Sequence, residues 1–295
     1  MRKGIYGIYI SFLFVLMAAS CSGNKKIYNK ENALKDIRGT YAQPPRLTNK
    51  RVDTKQLISQ LKDLNANTYN WLIWQHETDW EDLQIFLPQA LKNKIRVWVT
   101  VVPPSEGKPR TKWDSEPFRQ DYVKWGEELA GLSLKYPNLV VYSIDDFAHN
   151  LKLFTPQYLS KMRAAMSAIN PGLQFVPCIY FRQATPSLAE NISSHIDGIL
   201  FPYMAWSGEK KNNLINSKLV KNEVEKIREV FERKVPVFLD VYLTAHSTAG
   251  SSTPQYVREV IIESEKYADG TLIYTHPNPQ TNAAKYKIVK DEFGK

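Results

Sequence analysis

The chain has 295 residues, is 43% hydrophobic and carries a formal charge of +9. Two cysteines exclude a disulfide framework and a cysteine-based zinc site. The charge is scattered, with Lys25, Lys26, Lys30, Lys35 and Arg38 in a polar leader and Lys210-Lys211 in a loop. No basic run is interleaved with aromatics, so no nucleic-acid partner is expected.

Arg2 and Lys3 give the N-terminus a positive start, and Ile5 to Met17 is apolar. The apolar stretch is short of the roughly 20 residues that span a bilayer. Ala18-Ala19-Ser20-Cys21 follows as a small-residue cleavage site, so residues 1–20 read as a signal peptide. Removing Arg2 and Lys3 with it lowers the charge to +7. A signal ending on a cysteine resembles that of bacterial lipoproteins, although Ala18 stands where Leu is usual. The resemblance implies lipidation of Cys21 and anchoring to a bacterial membrane, with residues 21–38 as a tether. Ser22-Gly-Asn-Lys-Lys26 is neutral then basic, which favours an outer membrane facing the periplasm. The plainer alternative is a secreted protein with an incidental Cys21. Cys178 lies in an apolar run and reads as a buried, inert thiol.

From Gly39 to Lys295, apolar runs alternate with amphipathic stretches. Gly39–Ala42 predicts a strand, and Thr54–Leu64 a helix capped by Asp53 or Thr54. Thr68–Ile73 is the second strand, Trp80–Lys94 the second helix with Asp79 as its cap. Arg96–Val102 is the third strand, ended by Pro103-Pro104, and Glu116–Tyr136 the third helix. Leu139–Ile144 precedes a helix over Thr155–Ile169, which Asn170-Pro171-Gly172 stops. Phe175–Tyr180 is strand five, with a short helical connection over Ser187–His195. Gly198–Tyr203, the helix Lys218–Phe231 and Val235–Tyr242 follow. Thr253-Pro254 opens helix seven, Thr271–Tyr274 is strand eight and Asn282–Phe293 the closing helix.

Eight strand–helix units, with strands that are continuously apolar, predict an α/β fold, a (β/α)8 TIM barrel over residues 39–295. An open doubly wound sheet would want a Gly-rich phosphate loop after the first strand. Tyr41-Ala-Gln-Pro-Pro45 stands there instead.

In a barrel the carboxyl ends of the strands share one mouth. They supply Tyr41 and Gln43; Asn70, Trp71 and Trp74; Thr100; Asp145 and Asp146; Tyr180 and Arg182; Tyr203 and Trp206; Asp240 and Tyr242; Tyr274 and His276. Aromatic faces pack on the C–H faces of sugars, and carboxylates bind hydroxyls, so the expected ligand is a carbohydrate. Each aromatic taken singly also fits as a cap on the core.

Leu139-Val-Val-Tyr-Ser-Ile-Asp-Asp-Phe147 ends an apolar strand on two adjacent carboxylates. Strand alternation turns Ser143 and Asp145 inward and Tyr142 and Ile144 outward, leaving Asp146 as the first loop residue. Two carboxylates this close repel, so one takes a raised pKa, as acid–base glycoside chemistry requires. The bland reading is a pair that caps helix four or pairs with Arg182 or Lys152.

Asp145-Asp146 ending strand four, with Phe175-Val-Pro-Cys-Ile-Tyr180 behind it, resembles the O-GlcNAc hydrolase and bacterial hyaluronidase-type β-N-acetylhexosaminidases. The likeness covers residues 140–180, with Phe147 in place of the usual Ile. It implies that the substrate's acetamido oxygen is the nucleophile, with Asp145 orienting it, Asp146 as acid then base, and Tyr180 holding the group. Asp240 and Trp206 are candidates for the later sugar-binding positions.

Five histidines, His76, His149, His195, His246 and His276, form no H-x-H or H-E-x-x-H pair, and no metal or cofactor is expected. No G-x-S-x-G supports serine chemistry. The nearest rival is a two-carboxylate hydrolase using Asp146 with Asp240, with a separation of about 5 Å for retention or about 6.5–9.5 Å for inversion. The alternative of another class is a non-catalytic glycan-binding lipoprotein using the same mouth.

Overall fold

The structure, a computed structural model, describes residues 30–109, 111–208 and 213–295. The signal segment, Cys21 and Lys210-Lys211 lie outside the described residues. The strands are β1 Ile37–Tyr41, β2 Thr68–Ile73, β3 Arg96–Val101, β4 Leu139–Ile144, β5 Gln174–Phe175, β6 Ile199–Tyr203, β7 Val237–Tyr242 and β8 Gly270–Tyr274. Between and after them run α1 Thr54–Asp63, α2 Asp79–Lys92, α3 Tyr122–Lys135, α4 Pro156–Ile169, α5 Pro186–Ile192, α6 Val220–Val230, α7 Pro254–Tyr267 and α8 Ala283–Phe293.

All neighbouring strands pair in parallel, in the order β5-β4-β3-β2-β1-β8-β7-β6. The two ends of that sheet meet. Ile179 N–H donates to the Leu200 carbonyl at 2.9 Å and Leu200 N–H to the Pro177 carbonyl at 3.0 Å. The protein is a (β/α)8 barrel. β5 is short in its ladder because Pro177 has no N–H to give. The chain nonetheless stays beside β4, with Val176 and Cys178 donating to Tyr142 and Ile144 at 3.0 Å.

Two apolar layers hold this ring. Leu72, Trp98, Val141, Val176, Leu200, Phe238 and Leu272 fill the inside, with Trp98 edge-on to Phe238 at 5.1 Å. Trp71, Tyr142, Ile144, Phe201, Tyr203 and Ile273 face the helices. Burial on both faces is why the strands read as unbroken apolar runs.

The caps at Asp53, Thr155 and Thr253 form as expected, each side-chain oxygen accepting the N–H three residues on. Three boundary differences matter most. The fold includes residues assigned to the tether. Lys30–Ala33 is a helical turn, Ala33 and Ile37 are buried in the barrel interior, and Arg96 donates to the carbonyls of Asn32, Lys35 and Asp36. α3 starts at Tyr122 rather than Glu116, with Asp121 as its cap. Asp79 lies inside α2 rather than capping it. Its carboxylate accepts the N–H groups of Trp74, Gln75 and His76 at 3.1, 2.8 and 2.9 Å and is gripped by Arg46 at 2.5 Å. That turn sets the position of Trp74 at the mouth.

Candidate active site

A cavity of about 360 Å³ opens at the carboxyl ends of the strands. Register builds its aromatic wall. Tyr41 of β1 pairs with Tyr274 of β8, which pairs with Tyr242 of β7, so three tyrosines from adjacent strands stand in one row. Their rings meet edge-on at 5.2 and 5.3 Å. Trp74 and Tyr180 extend the aromatic lining. Trp74 is fixed by its indole N–H, which donates to the Glu106 carbonyl at 3.1 Å.

Three aspartates enter this cavity: Asp145 and Asp146 after β4, and Asp240 from β7. Alternation along β4 holds as predicted. Val141 and Ser143 precede Asp145 on the inner face, while Tyr142 and Ile144 pack under the helices. The Asp145 N–H still bonds the Val101 carbonyl at 2.9 Å, so β3 and β4 fix its backbone. Asp146 adopts the left-handed region, φ 42°, which a non-glycine residue holds only where its surroundings impose it. Here its N–H donates to Asp145 Oδ1 at 3.0 Å and its carbonyl accepts from Asn150 Nδ2 at 3.0 Å.

Burial, then the neighbouring Asp146 charge, pushes the Asp145 carboxyl up from 3.8 to about 7. Burial and the charge of Asp145 push Asp240 well above the usual carboxylate range. Asp240 is 2% exposed, and its Oδ1 has no hydrogen-bond partner in the protein. The bland readings of the pair fail: Thr155 caps α4, and the Asp146 side chain makes no capping bond to the helical turn that follows it. The nearest basic side chain to Asp146 is His149, whose Nδ1 lies 3.5 Å from Oδ2. Among the described residues no group of three or more His, Cys, Asp or Glu side chains is arranged to hold a metal.

Tyr41, Trp74, Tyr180 and Tyr242 line the cavity with the aspartates, as expected for the mouth. Other strand-end candidates do not. Tyr203 faces outward, its hydroxyl donating to the Asn216 carbonyl at 2.7 Å and its ring stacked on Tyr256. The same parity carries Trp71 outward, where its indole N–H bonds the Asp79 carbonyl. His276 turns toward α1, between Thr40 Oγ1 at 2.8 Å and Gln60 Oε1 at 2.9 Å. Burial lowers its pKa to about 3, so the ring is a neutral structural link. Arg182 and Trp206 pair with each other outside the cavity wall, guanidinium over indole at 4.8 Å. Asn70 lies inside the barrel, accepting from Thr100 Oγ1 at 2.7 Å, fully buried and off the cavity wall.

The reading of strand ends missed Glu106, on the β3–α3 loop, and His246, on a two-residue ribbon formed by Ala245–His246 and Gly250–Ser251. Both follow strands directly into loops at the active face, the signal that points to them. Thr248 N–H donates to His246 Nδ1 at 3.2 Å, so the neutral ring carries its proton on Nε2. Burial lowers the His246 pKa, against the opposing pull of Asp146. A larger hollow, about 580 Å³, lies among Pro186, Glu190, Val230 and Lys234 on the helical surface. No aromatic wall or group of buried carboxyls converges there, so the mouth is the candidate site.

No family model matches the sequence, and no curated relative does. Solved structures share the fold. Thermotoga maritima Cel5A, in complex with cellobiose, superposes with a TM-score of 0.60 at 14% identity, over 88% of this chain and 99% of its own. A β-glucanase from Saccharophagus degradans in complex with cellotetraose gives 0.59 at 12%, over 88% and 87%. A GH2 β-galacturonidase from Eisenbergiella tayi bound to galacturonate gives 0.58 at 11%, over 88% of this chain. The chain spans about half, 51%, of that galacturonidase's length. At these identities the likeness establishes the barrel.

Proposed function

We propose that the protein is a glycoside hydrolase whose proton donor is Asp145. The observation that supports this best is a carboxyl titrating near 7 beside a second carboxylate, in a tyrosine-walled cavity at the barrel mouth. A neutral acid next to an ionised carboxylate is the state that glycosidic cleavage needs. Asp145 gives its proton to the departing oxygen as the bond from that oxygen to the anomeric carbon breaks. Asp240, which enters the same cavity, meets the positive charge that develops on the sugar once it has released its own proton to solvent, a loss that the positive charge favours, and water then adds to the anomeric carbon as its proton returns to Asp145. The barrel neighbours that hold cellobiose and cellotetraose agree with a carbohydrate ligand.

The N-acetylhexosaminide reading is the finer alternative, and Tyr180 beside the aspartate pair favours it. With the raised carboxyl at Asp145, the roles suggested by the resemblance exchange: Asp145 becomes the acid and Asp146 the orienting group. A panel of aryl glycosides, run with Asp145→Asn and Asp240→Asn, tests the proposal. Turnover confined to N-acetylhexosaminides and blocked by a thiazoline-type inhibitor supports substrate assistance. Turnover of other sugars, lost in both variants, supports the two-carboxylate route. A folded protein that binds glycans and cleaves none is the binding lipoprotein instead.

We also propose export and lipidation at Cys21, with anchoring to the periplasmic face of an outer membrane. Cys21→Ala should move the protein from the membrane fraction to the soluble one and end incorporation of labelled palmitate. Unchanged fractionation and labelling would remove the anchor.

A further inference from the structure

We infer that the glycosyl unit held in this cavity carries a free amino group, a hexosamine in its ammonium form. The inference rests on the cavity as a sugar site and not on catalysis. Asp145, Asp146 and Asp240 converge on one cavity, and among the described residues no Lys or Arg lines it. Two buried polar atoms there lack partners in the protein: Asp240 Oδ1 and Tyr41 Oη, each in a residue only 2% exposed. Among the described residues, two nearby cations are engaged elsewhere. Arg182 donates to the Trp206 carbonyl at 3.1 Å, and the Lys285 ammonium donates to the Leu243 carbonyl and Ser252 Oγ.

Burial holds the Asp145 and Asp240 carboxyls toward their protonated forms, and a cation bound between them is what would let a buried carboxyl ionise. A sugar hydroxyl offers one hydrogen and no charge. An ammonium offers three hydrogens and the missing positive charge, and charge-assisted bonds of this kind are about twice as strong as neutral ones. A carboxylated sugar would add another negative charge to a site already holding three carboxyls, which is how binding sites reject a competitor. The groups facing an ammonium here are Asp145, Asp146, Asp240, Glu106, His246 and the tyrosine row, with the His149 ring behind Asp146 at 3.5 Å on the side of Tyr180. Of these, His246 is held neutral by burial and by the Thr248 N–H on Nδ1, so it does not supply the counter-charge. A bound cation stabilises the ionised form of Asp145 and therefore releases a proton.

The test is calorimetric titration of the wild-type protein with four S-linked disaccharides that resist hydrolysis. They are built from glucosamine, N-acetylglucosamine, glucose and glucuronic acid. The glucosamine disaccharide is expected to bind at least about tenfold tighter than the glucose one. It should release protons near pH 6, seen as a dependence on buffer ionisation enthalpy, and the glucuronide should not bind. Asp240→Asn, checked for folding by thermal melting, should bring amino and neutral sugars to within about threefold of each other. Binding of the glucuronide or the N-acetyl form as tightly as the amine, or binding of the amine without proton release, overturns the inference. O-linked counterparts read the hydrolase proposal separately. Cleavage of neutral sugars with no amine preference overturns this inference alone, and tight amine binding with no cleavage overturns hydrolysis alone.

Discussion

Asp145→Asn should make the protein more stable at about pH 8 while changing little near pH 4. The ordinary carboxyl value is 3.8, and in the fold Asp145 titrates at about 7. Between those values the folded state binds a proton that the unfolded state has lost. Wild-type stability is therefore complete below about 3.8, declines as pH rises through the window to about 7, and is level above it. At about 1.36 kcal/mol for each tenfold change in acidity, the whole window corresponds to about 4 kcal/mol. Asparagine keeps the shape, and its carbonyl oxygen can still accept the Asp146 N–H that bonds Oδ1 at 3.0 Å. Because the Asp145 and Asp240 charges act on each other, not all of this window belongs to Asp145 alone, and the gain expected at pH 8 is about 2–4 kcal/mol. Urea unfolding of both proteins at several pH values between 4 and 8 measures it. A variant that is less stable at every pH, or whose difference from wild type does not change with pH, would refute the reasoning.

Further outcomes follow from the same geometry. On any glycoside the protein cleaves, kcat/KM should fall about tenfold per pH unit above pH 7 as Asp145 loses its proton, and a rate that still climbs at pH 9 contradicts this. Asp79→Ala removes the acceptor of three backbone N–H groups and of Arg46, which keeps Asp82 at 3.9 Å and the Lys50 carbonyl at 2.9 Å, and chemical unfolding should register a loss of about 2–4 kcal/mol. His276→Ala should cost about 2–3 kcal/mol through a cavity and two lost buried contacts. The pH profile of activity should keep its shape in that variant, whereas a shifted limb would return His276 to the chemistry. Tyr41→Phe deletes a buried hydroxyl with no partner in the protein, so the melting temperature should hold or rise while affinity for glycan falls.

The barrel was legible because its strands are buried on both faces and its helices begin at Asp53, Thr155 and Thr253, which cap them as their chemistry dictates. The orientation of Asp145 was legible from the two-residue period of a strand. The same period, applied to β2 and β6, separates inward Asn70 and Pro202 from outward Trp71 and Tyr203. Grouping residues by nearness to a strand end discarded that information. Glu106 and His246 were out of reach for another reason: loop paths depend on tertiary contacts such as the Trp74 indole to the Glu106 carbonyl and the Leu214 N–H to the Ala249 carbonyl. Arg182 and Trp206 satisfy each other, a pairing between two loops that no local pattern encodes. The turn that places Trp74 is set by Asp79, whose role as acceptor for three successive N–H groups appears only once the loop is folded.

The central claim is that Asp145 protonates the departing oxygen, and leaving-group dependence tests it most directly. Wild type and Asp145→Asn would be compared on one sugar bearing either a dinitrophenyl group or a second sugar. Loss of the acid should slow the poor leaving group by about 10²–10⁴-fold and barely affect dinitrophenolate, which departs without a proton. Equal losses on both substrates, or no loss on either, would contradict the assignment.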